Sequence, residues 1–587
     1  MAATTNMAAT TKTFDHTYDV VVVGSGAAAM ATALGAVDEG LSVLMVESTP
    51  KWGGNTAMSG GGLWLPNNPL MQADRAGDSR EEALAYMEAT IGESGRASTR
   101  ERKEAFVDGV ADLVDTAAKH GLKWARARDY ADYYPEKPGG KIGRGLEVEP
   151  FDLKAIGDWW ESCQAPAAMP IKTDDVWLLG RAWSTPGGMV RGAQLVGRVA
   201  AGLAKGKKLA GIGAGFASAM LEAVVVKGGA DLWLESPAIS LIQAGEGGAG
   251  DGGGGDGGSD GGQTGHGSGR VVGVVVRKDG RDVRVGATRG VMLAGGGFDH
   301  NKAKRLELQG IEGAPSGAPG NLGGPIAMAA DIGAALELMD DAWWGASLEG
   351  LPGGPGPGFL VGERSFPYSM IVDGTGERFA NESESYVDLG HHMLERVAAS
   401  REHGGAGDAL TFWMITDARH ARRYLRSFAM DPKALKKLKA AGIVQSADSI
   451  EALAVGMGVP ADTLRASIER FNGFARSGVD GDFGRGNSAY DRYYGDPLVR
   501  PNPNLGPLEK APFHAYRIVI GDLGTKGGVV TNADARALRE DGSVIEGLYA
   551  AGNNSASVMG RTYPGPGSTI GPATVFGLRG ARHMARG

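Results

Sequence analysis

Tyr563 and Gly567, four residues apart in MGRTYPGPGSTIGPATVFG, are suited by type and spacing to polarise a carbonyl group. A phenol and a backbone N–H joined by a glycine-proline loop can converge on one oxygen, and each donor in such an oxyanion hole is worth about 3 kcal/mol. A structural tyrosine buried in a tight loop is the other reading of the same residues. A second group of phenols, Tyr130, Tyr133 and Tyr134, lies in segment 124–150 beside Pro135, Pro138 and paired glycines. That is a loop composition with unusually many hydroxyls. His391 and His392 are adjacent, but no further histidine or carboxylate stands beside them at ligand spacing, so packed or solvated imidazoles are expected and no metal.

The stretch Tyr18–Trp64 has to position a cofactor for such chemistry. Asp19–Val23 is β-branched and apolar on both sides, as in a central parallel strand buried on both faces. Gly24-Ser25-Gly26-Ala27-Ala28-Ala29 then gives a tight turn, a bare backbone for a pyrophosphate and a small residue where helix meets strand. A helix over Ala27–Val37 offers its positive end to the phosphates. A second strand, Ser42–Val46, ends at Glu47 and Ser48, placing an acid where a ribose hydroxyl needs an acceptor and disfavouring a 2′-phosphate. The chain holds 97 glycines, so the fingerprint alone recurs by chance; strand, helix and acid together make it a dinucleotide site. Gly53-Gly54-Asn55-Thr56 and Ser59-Gly60-Gly61-Gly62 form a second bare segment along which an extended cofactor can run.

With 587 residues the chain has room for two or three domains. A net charge of −8 without a long basic run argues against nucleic acid and for a neutral or weakly charged small molecule. The single cysteine, Cys163, excludes a disulfide framework and agrees with a reducing compartment, so a cytoplasmic protein is expected. The start, MAATTNMAATTKTFDH, has no apolar core of signal-peptide length and reads as a disordered lead-in. The apolar stretch Phe216–Val226 is too short to span a bilayer. Peripheral membrane contact stays open, because a very apolar substrate has to be collected from a membrane.

Two helices are expected over Arg80–Gly121, with Phe106, Val110, Leu113 and Ala117 on one core face. Small-residue helices follow over Asp174–Gly228, then a strand over Asp231–Gln243. Residues 245–269 are low-complexity and glycine-rich, and read as a floppy hairpin tip between Ala238–Gln243 and Val271–Arg277. Gly290–Asn301 and Gly547–Ala556 are two further strand-to-glycine junctions, which converge on the carboxyl edge of one doubly wound sheet. Between them the composition turns aromatic and Pro/Gly-rich, with Trp343, Trp344, a loop over 350–358 and helices near Asp388–Ala399 and Pro460–Ser477. The domains expected are a cofactor-binding domain in two parts, 1–335 and 512–587, around an inserted substrate domain, 336–511. A last helix begins near Pro572, a residue suited to a first helical turn, and faces the cofactor with its positive end.

The motif GGNTAMSGGGLWLPNN resembles the FAD-dependent fumarate reductase superfamily, whose cofactor domain is of the glutathione-reductase type. The fold implied is α/β, a Rossmann-like FAD-binding domain with an inserted α+β catalytic domain. DYADYYPEKPGG, RSFPYSMIVDGTGERFANESESYVDLG, FGRGNSAYDRYYGDP, GTKGGVVTN and YPGPGSTIGPATVFG, in that order, are similar to the 3-ketosteroid Δ1-dehydrogenases over nearly the whole chain apart from the glycine tract. The resemblance implies that Tyr563 and the Gly567 amide bind the 3-keto oxygen. It further implies that Tyr386 takes a proton from carbon 2, Tyr133 supports Tyr386, and Tyr130 and Phe359 line the substrate pocket. Hydride leaves carbon 1 for the flavin, and electrons pass on to a quinone or similar acceptor. The glycine and polar residues of Tyr18–Trp64 together with Ile239, Ala294, Gly295, Gly296, Gly552, Asn553, Ser568 and Ile570 are the implied FAD contacts. Asn55 stands near where succinate dehydrogenases carry the histidine of a covalent flavin, so non-covalent FAD is implied. Leu523-Gly524-Thr525-Lys526-Gly527-Gly528 has glycine where dicarboxylate reductases carry histidine.

On the residues alone, Tyr386 after NESES fits a core position as well as a catalytic one, and Tyr130, Tyr133 and Tyr134 compete for the supporting role. An unperturbed phenol is about 4 kcal/mol short of ionised at neutral pH, so a hydrogen bond from Tyr133 or a positive field is expected to lower the Tyr386 pKa. Two competing readings are another FAD-linked enone or acid oxidoreductase and a flavin-binding protein without turnover.

Overall fold

The structure, a computed structural model, describes residues 14–165, 167–245, 269–351, 358–402, 411–426 and 432–587. The lead-in 1–13, residues 246–268 of the glycine tract and 352–357 of the loop 350–358 lie outside the described residues.

Strand β1 (His16–Val23) is central because Val20, Val21, Val22 and Val23 are buried on both faces. Parallel neighbours are β2 (Val43–Val46) and Asp231–Trp233 on one side, and Arg281–Leu293 and Val544–Ala550 on the other. Their register is common: Val23 pairs with Val46 and with Leu293, and Leu293 pairs with Ala550. Four strands therefore end level, and Gly24, Glu47, Ala294 and Ala551 leave the sheet along one edge. Helix α1 (Ala27–Asp38) packs against the last helix, Ile570–Arg586, through small residues. A Cβ on Gly35 would lie 2.8 Å from the Ala581 Cβ, and one on Gly577 would lie 2.5 Å from the Ala28 carbonyl.

A second sheet covers the open side of that edge. Its order is Gly358–Phe359, Ala342–Leu348, Phe513–Thr525, Phe412–Thr416, Ser369–Val372. The longest of these strands comes from beyond residue 511, so the composition change at 511/512 falls inside this unit: Phe513–Thr525 pairs with Ala342–Leu348 and with Phe412–Thr416, and those pairings decide its place. Helix Tyr386–Glu402 lies on this sheet where Gly390 lets it approach Trp344; a Cβ there would be 2.4 Å from the Trp344 Cβ.

Helices Arg80–Ile91 and Arg100–Lys119 form as expected, with Phe106, Val110, Leu113 and Ala117 buried. Two expectations change. Asp231–Gln243 is two strands: Glu235 takes a positive φ of 51° and Pro237 cannot donate to a ladder, so Asp231–Trp233 stays parallel in the sheet while Ala238–Gln243 turns away to pair antiparallel with Val271–Lys278. The last helix starts at Ile570, and Pro572 sits within its first turn.

The hairpin around the glycine tract is closed by the body of the protein, with Ala244 N–H donating to the Arg270 carbonyl at 2.8 Å and Gln243 Nε2 to the Gly269 carbonyl at 2.9 Å. Replacing 246–268 by a two-residue turn is expected to leave thermal stability and turnover unchanged. A drop in either would show that the tract contributes to the folded state.

Candidate active site

One cavity of about 910 Å³ runs from the glycines after β1 to the phenols. Of the FAD contacts expected from the sequence, Gly24, Ser25, Gly26, Ala28, Glu47, Ser48, Gly54, Asn55, Thr56, Ser59, Gly60, Gly61, Gly62, Ala294, Gly295, Gly296, Gly552, Asn553 and Ile570 line it. Four do not. Ala29 is fully buried in the helix-strand contact, and Gly53 sits behind the wall, donating its N–H to Ser25 Oγ at 3.0 Å. Ser568 is buried and ties its hydroxyl to the Gly565 N–H and carbonyl. Ile239 is 39% exposed; the turn at Pro237 brings Pro237 and Ala238 to the cavity in its place.

The cradle fits a dinucleotide on its own geometry. Gly24 takes φ +112° with Ala294 O only 2.3 Å from where a Cβ would be, so the turn admits no side chain. Ser25 Oγ donates to Glu47 Oε2 at 2.6 Å, fixing the acid at the strand end. Asn55 clasps the opposite wall, its Oδ1 accepting from the Ala318 N–H (2.6 Å) and Asn321 Nδ2 (3.0 Å) while its Nδ2 donates to the Leu523 carbonyl (3.3 Å).

At the far end the cavity is lined by Tyr130, Tyr133, Phe359, Tyr386, Tyr563 and Gly567, all expected there, and by Trp177, Tyr493 and Tyr494. Ring centroids are 4.8 Å apart for Tyr386 and Tyr563, 5.6 Å for Tyr133 and Tyr386, and 5.2 Å for Tyr133 and Tyr563. Phe359 stands edge-on to Tyr386 at 5.2 Å. Tyr134 points away and donates to Asp388 Oδ1 at 3.0 Å, leaving Tyr133 as the phenol beside Tyr386. Tyr493 stacks on Tyr130 with centroids 4.3 Å apart, Tyr494 stands edge-on to Tyr130 at 5.9 Å, and Tyr490 backs Tyr133 at 4.2 Å. The sequence reading gave these three no role, although three phenols in AYDRYY were a visible signal. The segment 316–322 was also missed, and its Ser-Gly-Ala-Pro-Gly-Asn composition was the sign of a wall loop.

Buried ionic pairs hold the phenol-bearing loops. Arg144 is fully buried between Asp78 (2.6 Å) and Asp132 (2.7 Å), and Asp132 also accepts from Trp64 Nε1 at 2.8 Å. Burial pushes the Asp132 carboxyl up to about 6, against the pull of Arg144. Tyr133 N–H and Tyr86 OH both donate to the Pro564 carbonyl, at 2.9 and 2.6 Å, joining the Tyr130–Tyr134 loop to the Tyr563–Gly567 loop. Before Tyr386, Glu382 is held by Arg378 (2.8 Å) and Arg485 (3.0 Å), and Asn381 Nδ2 donates to Asp491 Oδ2 at 3.0 Å. Gly567 has φ +94°, with Gly62 O 2.2 Å from a would-be Cβ, so its amide is presented by a backbone that only glycine adopts there.

Burial raises the Tyr386 phenol well above its ordinary value, and the nearby Tyr563 adds to the rise. Burial raises Tyr563 too, while hydrogen bonds from Tyr386, Thr569 and the Gly567 amide pull it back. The expected lowering of Tyr386 by Tyr133 is therefore not what the site provides. The Tyr133 hydroxyl is paired with that of Tyr130 at 3.4 Å, and burial raises Tyr133 itself. His391 and His392 do have carboxylates near them, Asp341 at 2.9 Å and Glu395 at 3.2 Å, yet among the described residues no three ligand-type side chains gather for a metal.

Residues 19–570 match the FAD binding domain family. The chain is 41% identical to the 3-oxosteroid 1-dehydrogenase of Mycolicibacterium smegmatis, over 97% of each chain. It is 34% identical to the 4-oxocyclohexanecarboxylate 2-dehydrogenase of Sinomonas cyclohexanicum, over 97% of this chain and 93% of the other. The crystal structure of the 3-ketosteroid Δ1-dehydrogenase of Sterolibacterium denitrificans in complex with 1,4-androstadiene-3,17-dione superposes with a TM-score of 0.86 at 36% identity, covering 97% of this chain and all of that one. The chain belongs to the FAD-dependent 3-ketosteroid dehydrogenase family. Family membership makes FAD the dinucleotide of the cradle.

Arg144→Met is expected to leave the buried carboxylates of Asp78 and Asp132 without their cation and to cost about 3–5 kcal/mol of stability. A chemical-denaturation midpoint equal to that of the parent would contradict this role.

Proposed function

We propose that the protein removes the hydrogens of carbons 1 and 2 of a 3-ketosteroid, leaving a double bond between them. The observation that carries this is the charge pattern of the cavity: among the described residues its only charged lining residues are Glu47 and Lys51, both on the nucleotide side, while the far end is phenolic and apolar. A flat, neutral ketone suits that end. A carboxylate-bearing ring of the kind named for the Sinomonas relative would bring an anion there with no cation among the described lining residues to meet it.

Tyr563 and the Gly567 amide hydrogen-bond the 3-keto oxygen, which acidifies the neighbouring carbon 2. Tyr386 takes that proton, and Tyr133 holds the Tyr386 ring from its edge. Tyr130 and Phe359 fill the sides of the ring system. FAD, bound non-covalently, would supply the two-electron acceptor for the hydride of carbon 1, with a quinone or similar compound as the onward acceptor. Converging proton acceptor and oxyanion donors favour turnover over mere flavin binding.

Among the described residues no helix is long and apolar enough to cross a membrane. The helix Pro186–Ala204, with the turn before it, exposes Trp183, Met189, Val190, Val196 and Leu203, and half-exposed Val176 nearby lines the cavity. This face supports peripheral membrane contact, through which a steroid dissolved in lipid reaches the site.

Anaerobic androst-4-ene-3,17-dione is expected to bleach the yellow holoenzyme. An unbleached flavin under that steroid and cholest-4-en-3-one, but bleaching by a cyclic keto acid, would replace the steroid with the smaller substrate. Tyr386→Phe is expected to abolish proton exchange at carbon 2 while steroid binding persists; retained exchange would remove Tyr386 as the base. Because burial raises the Tyr386 phenol, its ionised fraction grows about tenfold for each pH unit below that raised value, so kcat/KM should climb through the alkaline range. A plateau near neutrality would point to a different base.

A further inference from the structure

Arg102 is 2% exposed and, among the described residues, makes no ion pair within 4 Å. Its guanidinium donates to the carbonyls of Ala97 and Ala556, the latter at 3.1 Å, and lies 5.0 Å from the Phe576 ring centroid; Nε has no partner. The acid that acts on it most, Glu337, is already engaged by Arg96 Nε at 2.8 Å and the Ala97 N–H at 2.7 Å. Burial pushes Arg102 down to about 10, which leaves it charged at neutral pH. Its place in the first turn of Arg100–Lys119 sets a cation at the positive end of its own helix, the unfavourable end. A buried cation in that position is costly unless a negative charge answers it.

Arg102 borders a small cavity of about 20 Å³, room for one water, whose wall includes Gly552, Asn553, Thr569 and Ala573. Those four residues also line the main cavity, so they form a partition between the guanidinium and the cofactor space. The first turn of Ile570–Arg586 contributes its positive end to the same partition. Trp343 borders the small cavity as well; it stands edge-on to Tyr563 at 5.4 Å and donates from Nε1 to Asn553 Oδ1 at 3.3 Å. The partition adjoins the phenol end through Trp343 and reaches the turn Gly24–Ala28 through Gly552, where a Cβ would stand 3.2 Å from that of Ala28, so the test below separates the ring from the phosphates.

We propose that Arg102 is a positioning residue for charge, holding the negative charge that the FAD ring gains on reduction. A hydride from the substrate carries two electrons and one proton, so a neutral ring that receives it ends with one net negative charge. Arg102 acts across the partition and touches neither substrate nor ring. The phosphates, whose charge is permanent, are served by the turn Gly24–Ala28 at the start of α1. The proposal rests on FAD being bound, and a colourless preparation would count against that reading and not against Arg102.

The test is the midpoint potential of the FAD-loaded protein, measured by equilibration with reference dyes, for the parent, Arg102→Gln and Arg102→Lys. Arg102→Gln should lose about tenfold in its preference for reduced over oxidised flavin, a fall of about 30 mV for a two-electron couple, and Arg102→Lys should recover most of it. Potentials equal to the parent's in both variants would overturn the proposal. So would an Arg102→Gln protein that binds oxidised FAD more weakly at an unchanged potential, since Arg102 would then serve the phosphates. The unaltered holoenzyme gives a second measurement should Arg102→Gln not fold: its potential should keep a slope of about 30 mV per pH unit, one proton per two electrons, into the acidic range. A two-proton slope there, meaning a reduced ring that is readily neutralised, would equally overturn it.

Discussion

Everything at this site depends on four parallel strands ending level. The pairing of Val23 with Val46 and Leu293, and of Leu293 with Ala550, sends Gly24, Glu47, Ala294 and Ala551 out along one line. A ligand laid across that line meets bare backbone, one acid and the positive start of α1 in a fixed order. Slipping one of these parallel strands by a residue would carry its terminal glycine, acid or alanine off the line.

The second constraint is the cost of burying phenols and the charges that hold them. Tyr130, Tyr133, Tyr386 and Tyr563 come from three stretches of chain remote in sequence, each held by its own anchor. Arg144 between two aspartates locks the first loop, the glutamate and arginines around Glu382 lock the second, and the Pro564 carbonyl draws the first loop onto the third. Such pairs contribute little net stability in a dry interior, but an unpaired member is strongly destabilising, so they specify one arrangement.

The same dryness sets the electrostatics. Burial raises Tyr386 and Tyr563, and among the described residues no cation lines their end of the cavity. A base at Tyr386, as proposed, would therefore draw its driving force from polarisation of a bound ketone more than from its own acidity. Positive charge is kept one layer back, on Arg102 and on the start of the last helix, where it bears on the cofactor space and leaves the substrate end uncharged.

The cofactor half of this architecture was legible in the residues, because strand, glycine turn, helix and acid are consecutive and local sterics leave Gly24 little choice. The Tyr563–Gly567 pair was legible for the same reason: both groups sit on one short loop. Local pattern did not reveal Tyr490, Tyr493 and Tyr494 as the backing of the site, nor that Phe513–Thr525 belongs to the second sheet, nor that Ala238 stands where Ile239 was expected. Those depend on pairings and packing between segments far apart in the chain. The acidity of Tyr386 was likewise decided by tertiary structure, since the sequence supplies a phenol but only its surroundings, buried and among the described residues without a lining cation, determine which way its pKa moves.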